Sequence, residues 1–108
     1  MRTTEFQKFL DEENILRVRF HSERGQVISF VVQLECCFGS SKSWVPVVRY
    51  DTAHGFAHCD RLHPYKPTEK TKMLAGDYKQ ALTVAMDDLE SNWVTYRRRY
   101  ERWLSQQN

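Results

Sequence analysis

From Ile15 to Ser22 apolar and polar residues alternate, with Leu16, Val18 and Phe20 on one side and Arg17, Arg19 and His21 on the other. A period of two predicts a half-buried strand. Glu23-Arg24-Gly25-Gln26 then offers a glycine for a tight turn. The next run, Val27 to Phe38, is long and β-branched. Ile28, Phe30, Val32, Leu34 and Cys36 alternate there with Ser29, Val31, Gln33, Glu35 and Cys37. It predicts the second arm of a hairpin and a central strand. Gly39 to Ser43 has loop composition, and Trp44 to Asp51 predicts a third strand. Pro46 cannot donate a ladder hydrogen bond, so it points to an edge, a bulge or the first residues of that strand. Thr52-Ala53-His54-Gly55 makes a turn, and Phe56 to Arg61 returns as a fourth strand.

The flanks follow other patterns. Phe6, Phe9 and Leu10 recur at i, i+3 and i+4, which predicts a short helix over Thr3 to Glu13, capped by Thr3 or Thr4, or else an extended arm. Leu62 to Leu74 carries Pro64, Pro67, Lys66, Lys70 and Lys72 without a clear period, and predicts a loop closing over the preceding hairpin. From Asp77 onward one long helix is expected, with Asp77 and Gln80 resembling a capping box. Tyr78, Leu82, Ala85, Met86, Leu89, Trp93, Tyr96, Tyr100, Trp103 and Leu104 form its apolar stripe. About 28 helical residues extend roughly 42 Å, against ~23 Å for a strand of about seven residues. The arginine-rich end should therefore overhang the sheet. The fold expected is α+β: an antiparallel meander of three or four strands, in the order 1-2-3-4, with the helix across one face. Its core would be Leu16, Val18, Phe20, Ile28, Phe30, Val32, Leu34, Leu82, Met86, Leu89 and Trp93.

At 108 residues the chain is read as a single domain, 1–108, and its 41% hydrophobic and 28% charged residues are ordinary for a globular protein. No apolar run approaches a membrane span, and the first residues lack the apolar core of a secretory signal. Three cysteines, with Cys36 and Cys37 adjacent, argue for free thiols and a cytoplasmic location. The net charge of +2 is small. Its distribution matters more: Arg97, Arg98, Arg99 and Arg102 crowd the last turns, after the acidic Asp87, Asp88 and Glu90.

Candidate chemistry concentrates between Arg49 and His63, which holds three of the four histidines. If the hairpin closes around Thr52 to Gly55, then Arg49, Asp51 and either His58 or Asp60 become cross-strand neighbours, with His54 at the tip. Such a group suits acid–base work on a phosphodiester. His54 or His58 would move the proton, Asp51 or Asp60 would orient the ring, and Arg49 and Lys70 would hold the phosphate. A purely structural role is the alternative: Asp51 and His54 capping the turn, Arg49 paired with a carboxylate such as Glu35, and His58 half-buried and hydrogen-bonded. His54, His58 and His63 with Cys59 and Asp60 are zinc-type ligands. Strand residues four apart lie about 13 Å from each other, however, so they cannot share one ion without a sharp bend. No cofactor is expected. Arginines interleaved with Tyr96, Tyr100 and Trp103 suit nucleic-acid contact through Arg97, Arg98, Arg99 and Arg102. Complementing the helix dipole is their competing use.

The run Val47-Val48-Arg49-Tyr50-Asp51-Thr52-Ala53-His54-Gly55-Phe56-Ala57-His58 resembles the core of bacterial toxins of the TumE type and of related small domains. In those, an Arg-Tyr-Asp strand end precedes a histidine-rich turn, a lysine-bearing loop and a C-terminal helix. The matching positions are Arg49, Tyr50, Asp51, His54, Gly55, His58, Asp60 and His63, with Lys70 in the loop. Cys59 departs from the pattern, and the N-terminal strands match only in type. The resemblance implies a small cytoplasmic toxin acting on RNA and neutralised by an antitoxin protein. Two functions are therefore carried forward. One is an RNA-binding protein or metal-independent ribonuclease. The other is a non-catalytic interaction module that forms a homodimer or binds a partner through a sheet edge and the overhanging helix.

Overall fold

The computed structural model describes residues 1–106. Six strands form one antiparallel sheet in chain order: β1 (Arg2–Asp11), β2 (Asn14–Glu23), β3 (Gln26–Cys36), β4 (Val45–Asp51), β5 (His58–Arg61) and β6 (Glu69–Lys72). A single helix, α1 (Tyr78–Ser105), packs on one face. The α+β meander is as expected, but the sheet has six strands rather than three or four.

Both additional strands replace segments expected to be helix or loop. Arg2–Asp11 is a strand along its whole length, paired from Arg2↔Ser22 to Phe9↔Ile15 and closing at Asp11↔Asn14. The helical spacing of Phe6, Phe9 and Leu10 is overridden by pairing, because three local turns of helix gain less than a ladder along a preformed hairpin. Asp11 fixes the reversal: its Oδ1 accepts from the Glu13 amide at 2.8 Å and from Asn14 Nδ2 at 2.7 Å. At the other margin, Glu69–Lys72 is an exposed edge strand within the expected loop. It escaped the period-two test because every residue in it is polar. Lysines on such a strand discourage further pairing.

The β2–β3 turn has positive φ at Arg24 (53°) and Gly25 (78°), as a two-residue hairpin loop demands. Ladder irregularities between His21 and Ser22 leave Ile28 without a Cα partner. Ile28 is 41% exposed and not core, while Val27 packs against the core instead. A second irregularity, between Leu34 and Glu35, sits opposite Pro46, so the proline lies at a bulge near the start of β4.

The core lies between sheet and helix. Leu16, Val18, Phe30, Val32, Leu34, Val48 and Tyr50 meet Ala81, Leu82, Ala85, Leu89 and Tyr100. Phe20, Met86 and Trp93 are partly buried against this cluster. Asp77 caps α1, its Oδ1 accepting from the Gln80 amide at 2.8 Å. Asp88 ties the helix to the sheet: Oδ2 accepts from Tyr50 and from Tyr96, each at 2.6 Å, and Oδ1 accepts from Asn92 at 2.8 Å. Burial first, then the Asp88 hydrogen bond, push both phenols above their usual range. Burial also raises the Cys59 thiol and takes that of Cys36 to about 12. Cys36, Cys37 and Cys59 are all free thiols.

The expected overhang is absent. The longest strand has 11 residues, or about 36 Å at 3.3 Å each, so the sheet nearly matches the 28-residue helix. Segments before β4 and after β5 also close on the helix end: Phe38 stacks on Tyr100 at 5.2 Å, and His63 lies 4.4 Å from Trp103 between ring centroids. Among the described residues, no helix is long and apolar enough to cross a membrane.

Candidate functional site

Strand alternation sends Tyr50 toward the helix and Arg49 and Asp51 to the opposite, helix-free face. The ladder pairs Arg49 with Asp60 and Asp51 with His58, and the next pairs Asp60 with Lys70 and His58 with Lys72. These residues therefore share a face, which the one-residue register at the turn decides.

His58 is the centre. It is fully buried, at 0% exposure, and sits between two carboxylates. Its Nε2 lies 2.7 Å from Asp51 Oδ1 and 3.2 Å from the Ala53 carbonyl. Both neighbours are acceptors, so Nε2 carries a proton and donates it. On the other side, Nδ1 lies 3.0 Å from Asp60 Oδ1 and 3.4 Å from Lys70 Nζ. Lys70 Nζ in turn approaches Asp60 Oδ1 at 3.1 Å. The result is one connected run, Asp51–His58–Asp60–Lys70, buried at the carboxylates and imidazole and open to solvent at the lysine. Desolvating charges is costly unless each is paired and hydrogen-bonded, and here each is.

His54 lies above this run. It occupies the left-handed region at φ 69° within a 3-10 turn, Ala53–Gly55, and its exposed ring lies 6.4 Å from that of His58 at an interplanar angle of 27°. The turn itself is held by Asp51, whose Oδ1 also accepts from the Ala53 amide at 3.0 Å. Asp51 thus serves as a turn cap and as a partner of His58. Arg49 donates from Nε to Gln33 Oε1 at 2.6 Å, not to Glu35 as the sequence suggested. Glu35 is taken by Arg17 at 2.8 Å and by Gln33 Nε2 at 2.7 Å. A polar row thus crosses β2, β3 and β4 and leads toward the His58 cluster.

His63 does not join the cluster. Its Nδ1 accepts from the amides of Tyr65 and Lys66, and its ring packs on Trp103. Among the described residues, no group of three or more His, Cys, Asp and Glu side chains is placed to hold one metal ion. The helix arginines lie across the sheet from His58. Arg97 is built into the fold: Nη1 donates to Asn14 Oδ1 at 2.7 Å, Nη2 donates to the Cys37 carbonyl at 2.8 Å, and the guanidinium covers the Phe38 ring. Arg98 and Arg102 are exposed, and Arg99 is half-buried between aromatic rings. Asp60, expected as an alternative orienter and as a cross-strand neighbour, pairs with Arg49 in the ladder. Its neighbour Lys70, expected in a loop, comes to the site on β6.

A family model for a domain of unknown function, DUF7718, matches residues 1–106. No curated protein and no solved structure matches the chain.

Proposed function

We propose that this chain, which belongs to the DUF7718 family of domains of unknown function, binds RNA on the helix-free face of its sheet and cleaves it without metal at the β4–β6 corner. The observation carrying this reading is the hydrogen-bonded run Asp51–His58–Asp60–Lys70 beneath the exposed His54 ring. Ionisable groups of complementary type gathered at one corner are what proton transfer at a phosphodiester requires. His54 is the group that reaches substrate: it takes the proton from a ribose 2′-OH. The 2′-oxygen attacks the adjacent phosphorus, the bond to the 5′-oxygen breaks, and that oxygen leaves with a proton from solvent. The products are a 2′,3′-cyclic phosphate and a 5′-hydroxyl. Lys70 and Arg49 offset the charge that builds on phosphorus. His58, being buried, is a positioning residue that fixes Asp51, Asp60 and Lys70. The similarity of Arg49 to His63 to TumE-type toxins fits this reading, with an antitoxin protein as the natural restraint.

The test is cleavage of a labelled single-stranded RNA in the presence of a chelator. The expected outcome is a cyclic-phosphate product, no cutting of DNA, and loss of rate by about 100-fold or more in His54→Ala, the usual range for a lost acid–base group. Lys70→Gln should lower the rate and reduce the salt sensitivity of the activity it retains, since one phosphate contact is lost. Inert wild-type protein, or an unimpaired His54→Ala variant, would sink the proposal.

A second reading, the non-catalytic interaction module, draws on β1. This ten-residue strand forms one edge of the sheet, with Phe9 65% and Phe6 39% exposed. Its outer amides and carbonyls could accept a partner strand. Particle mass by size-exclusion at low and at 0.5 M salt (about half molar, where phosphate contacts weaken strongly) separates the two. A complex that survives high salt favours strand addition.

A further inference from the structure

The face of the sheet that carries α1 holds a second cluster, away from His58. Arg61, at the end of β5, pairs in the ladder with Val48 and Glu69, which turns it to the helix side. Arg99 comes to the same place from α1. Its guanidinium carbon lies 5.1 Å from the Tyr96 ring and 5.1 Å from the Trp103 ring. His63 braces Trp103 in turn, with ring centroids 4.4 Å apart. Arg99 is therefore stiffened by stacking, and its charge is only weakly answered: among the described residues no carboxylate forms an ion pair with it, and Glu69 acts on it from a distance. Its Nε is buried without a hydrogen-bond partner, the only such side-chain atom among them. Arg61 has only Glu69, at 3.7 Å and largely in solvent, which is a weak pair. Burial, and next the charge of Arg61, lower the Arg99 pKa below its usual range.

Two guanidinium groups, one partly stripped of water, share a single counter-charge, the largely solvent-exposed Glu69. Arginine forks match tetrahedral oxyanions. A phosphate monoester carries about −1.5 to −2 near neutral pH and three acceptor oxygens, which answers both cations. A lone carboxylate supplies half that charge. We propose that Arg61 and Arg99 form a binding site for a phosphate monoester, with Tyr96, Trp103 and His63 holding Arg99 in position. The ligand is reached through the terminal nitrogens of the two arginines and displaces Glu69 from Arg61. This site lies across the sheet from His54 and does not depend on the RNA-cleavage reading.

The test uses the full chain and inorganic phosphate as probe, following the arginine Nε–H resonances by NMR with chloride at matched ionic strength as control. A buried Nε proton is protected from exchange, so that of Arg99 should be visible and should shift saturably with phosphate. Arg61→Gln and Arg99→Lys should each weaken binding by about tenfold, the loss expected for one charge-assisted contact. The Arg61 side chain is 42% exposed, so Arg61→Gln guards against misfolding as the cause. No saturable shift, or undiminished binding in Arg61→Gln, overturns the proposal. Two further probes identify the source. An RNA oligomer with a 5′-phosphate that binds more tightly than inorganic phosphate, and more tightly than the same oligomer with a 5′-hydroxyl, marks the ligand as an RNA end. Equal affinity for the phosphorylated oligomer and for inorganic phosphate marks it as a small monoester.

Discussion

At the scale of single residues, His58 decides the most. Removing its ring would leave Asp51 and Asp60 facing each other across a small void with only Lys70 to answer them. Stranding buried carboxylates in this way costs about 3–5 kcal/mol. His58→Ala should therefore lower the urea-unfolding free energy by that amount, whatever it does to activity. A loss below about 1 kcal/mol would mean that water or Lys70 substitutes freely for the imidazole. This is why His54→Ala, and not a double variant including His58, is the informative probe of chemistry. The sequence showed which side chains would share a face, because Arg49, Asp51, His58 and Asp60 follow from strand parity and the turn length. It could not show that His58 would be buried. That depends on β6 covering β5, and β6 carries no apolar residue to announce it.

Elements tell a similar story. β2, β3 and β4 were legible because each buries one face and exposes the other, so the period of two is written in the side chains. β1 was legible only as the alternative to a helix, an extended arm, because an edge strand at the margin of the helix's cover buries little on either face. Its Phe6, Phe9 and Leu10 were then free to mimic a helical stripe. α1 was legible from its stripe and from Asp77, and the cap provides a direct check. Asp77→Ala removes the acceptor of the Gln80 amide and should cost about 1 kcal/mol, with little further effect, since α1 is held mainly by packing. The urea midpoint of this variant should fall without a change in slope.

For the molecule as a whole, stability should fall on the alkaline side. Cys36 and the two tyrosines on Asp88 hold their protons in the folded state past their ordinary values of 9.0 for the thiol and 10.0 for the phenols. Above those values the unfolded chain has released protons that the folded chain still binds, so unfolding gains with rising pH. The stabilisation is thus complete below pH 9 and drains away above it, first through the thiol and then through the phenols. Urea midpoints measured from pH 7 to 11 should be level at first and then decline. Tyr50→Phe should start lower, having lost its Asp88 hydrogen bond, and decline less steeply above pH 10. A level profile to pH 11 would contradict the burial of these groups.

The two margins of the sheet are not equivalent. β6 is four residues long and carries Lys70 and Lys72, whereas β1 is ten residues long and bears two exposed phenylalanines. Strand addition is therefore possible at one margin and opposed at the other. If two copies meet β1 to β1, each leaves only its lysine-bearing margin outward, and no third copy has a place to join. A sheet with one receptive side and one refusing side can pair but cannot polymerise, so the asymmetry sets a ceiling on assembly size.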